Sequence, residues 1–244
     1  MRTKKHTFTR QGFTIIELLV VVGIISLLAS LTYPAINKLR ERSKELQCSN
    51  NVKNWVFAML QYADANSGKF PTDGLTDSVA NQEKFWYEVL PPLLGMPSFS
   101  EQKAADKIHA PQGGKSSFIC PSHSTIDQEA PITGAPTFSY GMNYWINARK
   151  GEDRDQFDLP NQMRTSHIRY PESFVLFSET LDYKLMVTLF PKNAATTSEP
   201  AFRHGGRVIC AFADGHITGA PIELACEFQW NPMFNPGQDQ ENGK

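Results

Sequence analysis

From Phe13 to Tyr33 the chain carries one charge, the carboxylate of Glu17. Wound as a helix rising about 1.5 Å per residue, this run covers roughly 30 Å, the thickness of a bilayer's hydrocarbon core. A cleaved secretory signal fits poorly, because the run is too long and lacks a small-residue cleavage pattern at its far end. Arg2, Lys4, Lys5 and Arg10 precede it, and Lys38, Arg40, Arg42 and Lys44 follow. With equal basic flanks, charge does not orient the span. Glu17 needs an explanation, since an ionised carboxylate in a span costs on the order of 2.5–3.5 kcal/mol on insertion scales. It must either reach the interface or find a partner.

The string Arg10-Gln11-Gly12-Phe13-Thr14-Ile15-Ile16-Glu17-Leu18-Leu19-Val20 resembles the type IV prepilin signal, shared by type IV pilins and type II secretion pseudopilins. The resemblance implies cleavage between Gly12 and Phe13, N-methylation of Phe13, and an assembly role for Glu17, whose carboxylate would meet the terminal amine of a neighbouring subunit. It also implies a prepilin peptidase/methyltransferase, other pilin-like subunits and an inner-membrane assembly platform as partners. The protein would cross the bacterial inner membrane once, with a cytoplasmic N-terminus and an extracytoplasmic head, or be built into a cell-surface filament. The residue types suit that chemistry. Gly12 presents no side chain to an approaching protease, and an unpaired Glu17 would disfavour wrong subunit registers. Pro34 occupies the place of the family's helix-kinking proline.

Beyond the span, Ala35 to about Ala65 contains no Gly or Pro, and Leu39, Leu46, Val52, Trp55, Val56, Met59 and Tyr62 recur at helical spacings. This predicts an amphipathic continuation of the helix, stopped at Asn66-Ser67-Gly68 and Pro71. The expected organisation is a leader at 1–12, a transmembrane helix at 13–34, its amphipathic continuation at 35–66 and a globular head at 67–244.

In the head, Pro and Gly become frequent and apolar runs shorten. Phe85 to Leu94 predicts a short helix closed at or just beyond Pro91-Pro92, and residues 98–117 an exposed loop. Phe174–Phe177, Leu185–Phe190 and Arg207–Phe212 predict strands, the last turning at Asp214-Gly215 into a partner at His216-Ile217-Thr218. The fold class is therefore α+β, a long N-terminal helix packed on a small antiparallel sheet, pilin-like in outline.

His204, nine residues and then Asp214-Gly215 resemble the H-X9-DG domain that accompanies prepilin signals in bacterial pilin-like proteins. Supporting similarities are Cys48-x-x-Asn51, Gly68-Lys69-Phe70-Pro71, Phe118-Ile119-Cys120-Pro121-Ser122 and Ser139-Tyr140-Gly141-Met142-Asn143. Residues 98–117 and 220–244 match nothing in that pattern. Cys120 falls in the similar pattern and Cys48 opens the amphipathic segment, so a Cys48–Cys120 disulfide tying helix to sheet is expected, typically contributing about 2–4 kcal/mol. Cys210 and Cys226 would pair or stay reduced.

A structural subunit without catalysis or cofactor is the expected function. The alternative is a membrane-tethered enzyme or ligand-binding head using His204, Asp214 and His216. A turn and hydrogen bonds explain those three residues more simply than a metal does. Calcium has few candidate donors, Asp214 with Glu179 or Asp182. Gly113-Gly114-Lys115-Ser116 lacks the first glycine and the strand of a phosphate loop. Cys120 with His123 reads as a turn rather than a nucleophile and base. No C-x-x-C pair is present. With 24 basic and 25 acidic residues, binding to nucleic acid through bulk charge is not expected.

Overall fold

The computed structural model describes residues 13–72, 85–104, 117–122, 138–146, 163–180, 186–187, 200–225, 227–228 and 230. The helices are α1 (Ile15–Ala65), α2 (Trp86–Leu93), α3 (Phe99–Ala104) and α4 (Ile222–Ala225), and the strands β1 (Tyr140–Asn143), β2 (Val175–Glu179), β3 (Met186–Val187), β4 (Arg207–Phe212) and β5 (Ile217–Pro221). Two units divide after Ser43, within α1.

In the first unit every described side chain is exposed, among them Phe13, Ile15, Ile16, Leu18 and Leu19. Among the described residues α1 is the one helix long and apolar enough to cross a membrane. The helix runs on through Pro34, whose missing N–H removes the hydrogen bond to the carbonyl four residues back.

The second unit begins at Lys44 and takes in the rest of α1. Here Cys48, Val52, Trp55, Val56, Met59 and Ala63 are buried, at the spacings that put one helical face against a core. The helix stops where the sequence places its breakers. Gly68 donates its N–H to the Ala63 carbonyl at 2.7 Å, and Asn66 Nδ2 caps the Tyr62 carbonyl at 2.8 Å. Gly68 sits at φ +80°, and a Cβ there would lie 3.0 Å from Thr165 Oγ1, so both backbone and space call for glycine.

The sheet has the order β3-β1-β2-β4-β5. The pairs β1–β2, β2–β4 and β4–β5 are antiparallel, and the short β3 adds a parallel edge. Strand β4 is covered on both faces. Ile209 and Ala211 join the core that includes α1, while Val208, Cys210 and Phe212 join a second cluster with Ala220, Ala225 and Trp230. A strand sealed on both sides reads as a continuous apolar run, which is why Arg207–Phe212 was legible.

Aromatic rings fill the main core. Trp55 stacks on Phe118 at 4.9 Å and meets Trp86 edge-on at 5.7 Å, and Trp86 meets Phe177 at 5.0 Å. Each such ring buries about 150–250 Å², roughly 4–6 kcal/mol of transfer free energy as an upper bound. Trp55 Nε1 donates to the Ser117 carbonyl at 3.0 Å, so the indole is buried with its polar atom satisfied.

Three regions differ from the sequence reading. The expected loop at 98–117 contains α3, with Phe99 buried against Phe138 and Phe118. A capping box explains it: Ser98 N donates to Glu101 Oε2 and Glu101 N to Ser98 Oγ. Strand β1 has both faces buried, so no alternation marked it. The C-terminal segment contributes α4 and Trp230 to the second cluster. Of the strand expected at Leu185–Phe190, Met186 and Val187 form β3 and the rest lies outside the described residues.

Candidate functional site

At the start of α1, Thr14 and Glu17 hold each other. Thr14 donates to Glu17 Oε2 from its backbone N–H at 2.8 Å and from its hydroxyl at 2.7 Å, while Glu17 N donates to Thr14 Oγ1 at 3.3 Å. This reciprocal capping box makes Glu17 part of the helix N-terminus. Sequence reasoning missed it, although Thr-x-x-Glu before an apolar run is its signature. Phe13 lies just outside the helix, and Gly12 is outside the described residues.

A second constellation lies inside the head. Cys48 on α1 and Cys120, 72 residues apart, are joined as a disulfide, with Cα atoms 5.5 Å apart. Glu179, the last residue of β2, and His204, in the turn before β4, complete the group. All four residues are buried, and one ligand atom from each lies within 4.8 Å of the others. His204 Nε2 is 3.0 Å from Glu179 Oε1 and 3.5 Å from Cys120 Sγ, and Cys48 Sγ is 3.3 Å from Glu179 Oε1.

Outer contacts orient these four side chains. Ile209 N donates to Glu179 Oε2 at 3.0 Å, so the carboxylate takes a backbone donor of β4. Arg203 Nη1 lies 3.9 Å from Glu179 Oε1. Ser122 Oγ is 3.5 Å from His204 Nδ1, and Ser122 N donates to Cys120 Sγ at 3.4 Å. Asn51 Nδ2 donates to the Tyr140 hydroxyl, which lies 3.0 Å from Cys48 Sγ. Burial, reinforced by the charge of Glu179, pushes the Tyr140 phenol far up. The turn itself uses Gly205 at φ +64° and Gly206 at φ +80°, a left-handed pair that returns the chain into β4.

The remaining predicted residues lie elsewhere. Asp214 and His216 pair at the β4–β5 turn, with His216 Nδ1 and the His216 N–H 2.7 Å and 3.0 Å from Asp214 Oδ1. The His216 ring stacks on Phe212 at 4.1 Å. Burial raises the Asp214 pKa, but the His216 backbone and ring more than offset it, and the carboxyl sits below its usual range. Strand β4 separates this turn from His204 by about 20 Å, at roughly 3.3 Å per residue. The grouping of His204, Asp214 and His216 into one centre is therefore corrected by the fold. His204 faces Glu179 and Cys120, while the other two residues face each other in the open. For the same reason Asp214 and Glu179 do not share a calcium site, and Asp182 lies outside the described residues. Cys210 is buried, with burial pushing its thiol well up, and Cys226 lies outside the described residues. His123 and Gly113 to Ser116 lie outside them too.

Residues 8–33 match the prokaryotic N-terminal methylation motif. The N-terminal region is type IV pilin-like. Relatives agree with this pilin-like character. The chain is 40% identical over 53 residues to the type IV major pilin protein PilA of Myxococcus xanthus (strain DK1622), covering 22% of this chain and 24% of that protein. It is 34% identical over 103 residues to the type IV major fimbrial protein FimA of Dichelobacter nodosus, covering 40% of this chain and 62% of that protein. The chain thus spans less than two thirds of the length of either relative. No solved structure matches it.

Proposed function

We propose that this chain is a structural subunit of a type IV pilus-like or type II secretion pseudopilus-like filament, anchored in the bacterial inner membrane by α1 until assembly. The observation that carries this is the methylation motif at residues 8–33, which contains the start of an exposed apolar helix with Glu17 in its first turn. Apolar side chains left bare along such a helix need lipid or neighbouring helices to cover them.

In this reading a prepilin peptidase/methyltransferase cuts between Gly12 and Phe13 on the cytoplasmic side and methylates Phe13. Phe13, on the mature side of that cut, lies just outside the helix. Glu17 then serves twice, capping its own helix through Thr14 and offering a carboxylate to the new amine of a neighbouring subunit. Losing the four basic residues of the leader leaves 20 basic residues against 25 acids, so the mature subunit is modestly acidic. The H-X9-DG resemblance is read structurally, with His204 and the Asp214-Gly215 turn at opposite ends of β4. Its subunits stack through the N-terminal helix on an inner-membrane assembly platform, and the chain catalyses nothing itself.

The test is N-terminal sequencing and mass measurement of the full chain recovered from membranes containing a prepilin peptidase. A methylated Phe13 terminus is expected. Recovery of Met1 alone would overturn the reading.

A further inference from the structure

We infer that Cys48, Cys120, Glu179 and His204 form a binding site for a zinc-class divalent cation inside the head, joining α1, β2 and the turn before β4. The inference does not depend on the filament reading.

The donor set is two sulfurs, one imidazole and one carboxylate, the ligand types that zinc takes in four-coordinate sites. Bonds of about 2.3 Å to thiolate and 2.0–2.1 Å to nitrogen or oxygen set tetrahedral ligand-to-ligand edges of roughly 3.3–3.8 Å. Three edges already lie near that range: Cys120 Sγ to His204 Nε2 at 3.5 Å, Cys48 Sγ to Glu179 Oε1 at 3.3 Å and His204 Nε2 to Glu179 Oε1 at 3.0 Å. The two sulfurs are joined as a disulfide here, so the site belongs to the reduced chain: a two-electron reductant, a dithiol in the cell or a phosphine in vitro, breaks the S–S bond to two thiols, which give up their protons as the cation binds.

Metal-binding side chains are normally held by hydrogen bonds on their far side, and each of these four has one. His204 turns Nε2 inward while Nδ1 faces Ser122 Oγ, and Glu179 points Oε1 inward while Oε2 takes the Ile209 N–H. Cys48 meets the Tyr140 hydroxyl and Cys120 accepts from Ser122 N. Charge closes as well. Two thiolates and a carboxylate around a dication leave one negative charge, and Arg203 stands 3.9 Å from Glu179.

The Cys48–Cys120 disulfide of this structure is the competing, oxidised state. It uses two of the four side chains and leaves the carboxylate and the imidazole buried beside the sulfurs and paired with each other, whereas the reduced pair would let all four side chains bind one cation.

The test uses the full chain purified in detergent with a phosphine reductant and without chelator. About one zinc per chain is expected by elemental mass spectrometry, with Cys48 and Cys120 alkylated only after denaturation in chelator. Exchange with cobalt(II) chloride should give the visible absorption of a tetrahedral site and a thiolate charge-transfer band. His204→Ala should abolish that spectrum, whereas His216→Ala should leave it unchanged. Ser122→Ala, which keeps all four ligands, should weaken zinc binding about 10-fold, and it decides the matter if His204→Ala does not fold. Zinc-free protein with the Cys48 and Cys120 peptides covalently joined overturns the inference. So does a cobalt spectrum indifferent to His204→Ala, or unaltered zinc affinity in Ser122→Ala.

Discussion

His204 Nε2 lies 3.0 Å from Glu179 Oε1 with both residues buried, although they are 25 residues apart in the chain. Water cannot replace either partner, so removing one leaves the other unsatisfied. Glu179→Ala is expected to destabilise the head by about 3–5 kcal/mol, because Arg203 and His204 both lose their buried counterpart. Glu179→Gln should lose less, since it retains an acceptor for Ile209 N. Denaturant midpoints followed by tryptophan fluorescence in detergent would check the order. Equal midpoints for wild type and Glu179→Ala would show that the pair is not structural.

Glu17 separates two roles that one substitution would confuse. Glu17→Ala loses both the hydrogen bonds from Thr14 and the charge, while Glu17→Gln keeps an acceptor for Thr14 and loses only the charge. Both variants are expected to fractionate with membranes, and neither to enter sheared surface filaments. If Glu17→Gln assembled like wild type, the cap rather than the charge would be what assembly needs.

Trp55 anchors α1 to the aromatic core through Phe118, Trp86 and Phe177. Trp55→Ala should cost about 3–5 kcal/mol. Trp55→Phe should cost less, losing ring area and the hydrogen bond to Ser117 O. A thermal melt monitored by near-ultraviolet circular dichroism would rank them, and a tolerated alanine would contradict the packing described.

Asp214 provides a pH signature. Its folded pKa is depressed, so its stabilising contribution is complete above the unfolded value of about 3.9 and is lost as pH falls through the folded value. Wild type should exceed Asp214→Asn in stability above about pH 5, with the gap closing below about pH 4. A gap that widened in acid would reverse the assignment.

The parts of the fold that were legible in sequence are those whose signals are local. Helix α1 declares itself by an apolar run and then by spacing, and its end by Asn66-Ser67-Gly68. Strand β4 is an apolar run closed by Asp214-Gly215. Two local signals were present and overlooked, the capping boxes Thr14-x-x-Glu17 and Ser98-x-x-Glu101. Strand β1 had no such signal, because residues buried on both faces do not alternate.

By itself the sequence determined the bilayer-length helix, the charge at its start and the hairpin that ends the sheet. Each depends on the order of neighbouring residues and on the energy of placing them in oil or water. Only the tertiary structure decided that Cys48, Cys120, Glu179 and His204 share one pocket and that Asp214 and His216 do not. The pocket's members come from separate elements, brought together by burial of the aromatic core. Nothing in the spacing of Glu179, the last residue of a buried strand, says which side chains it will meet.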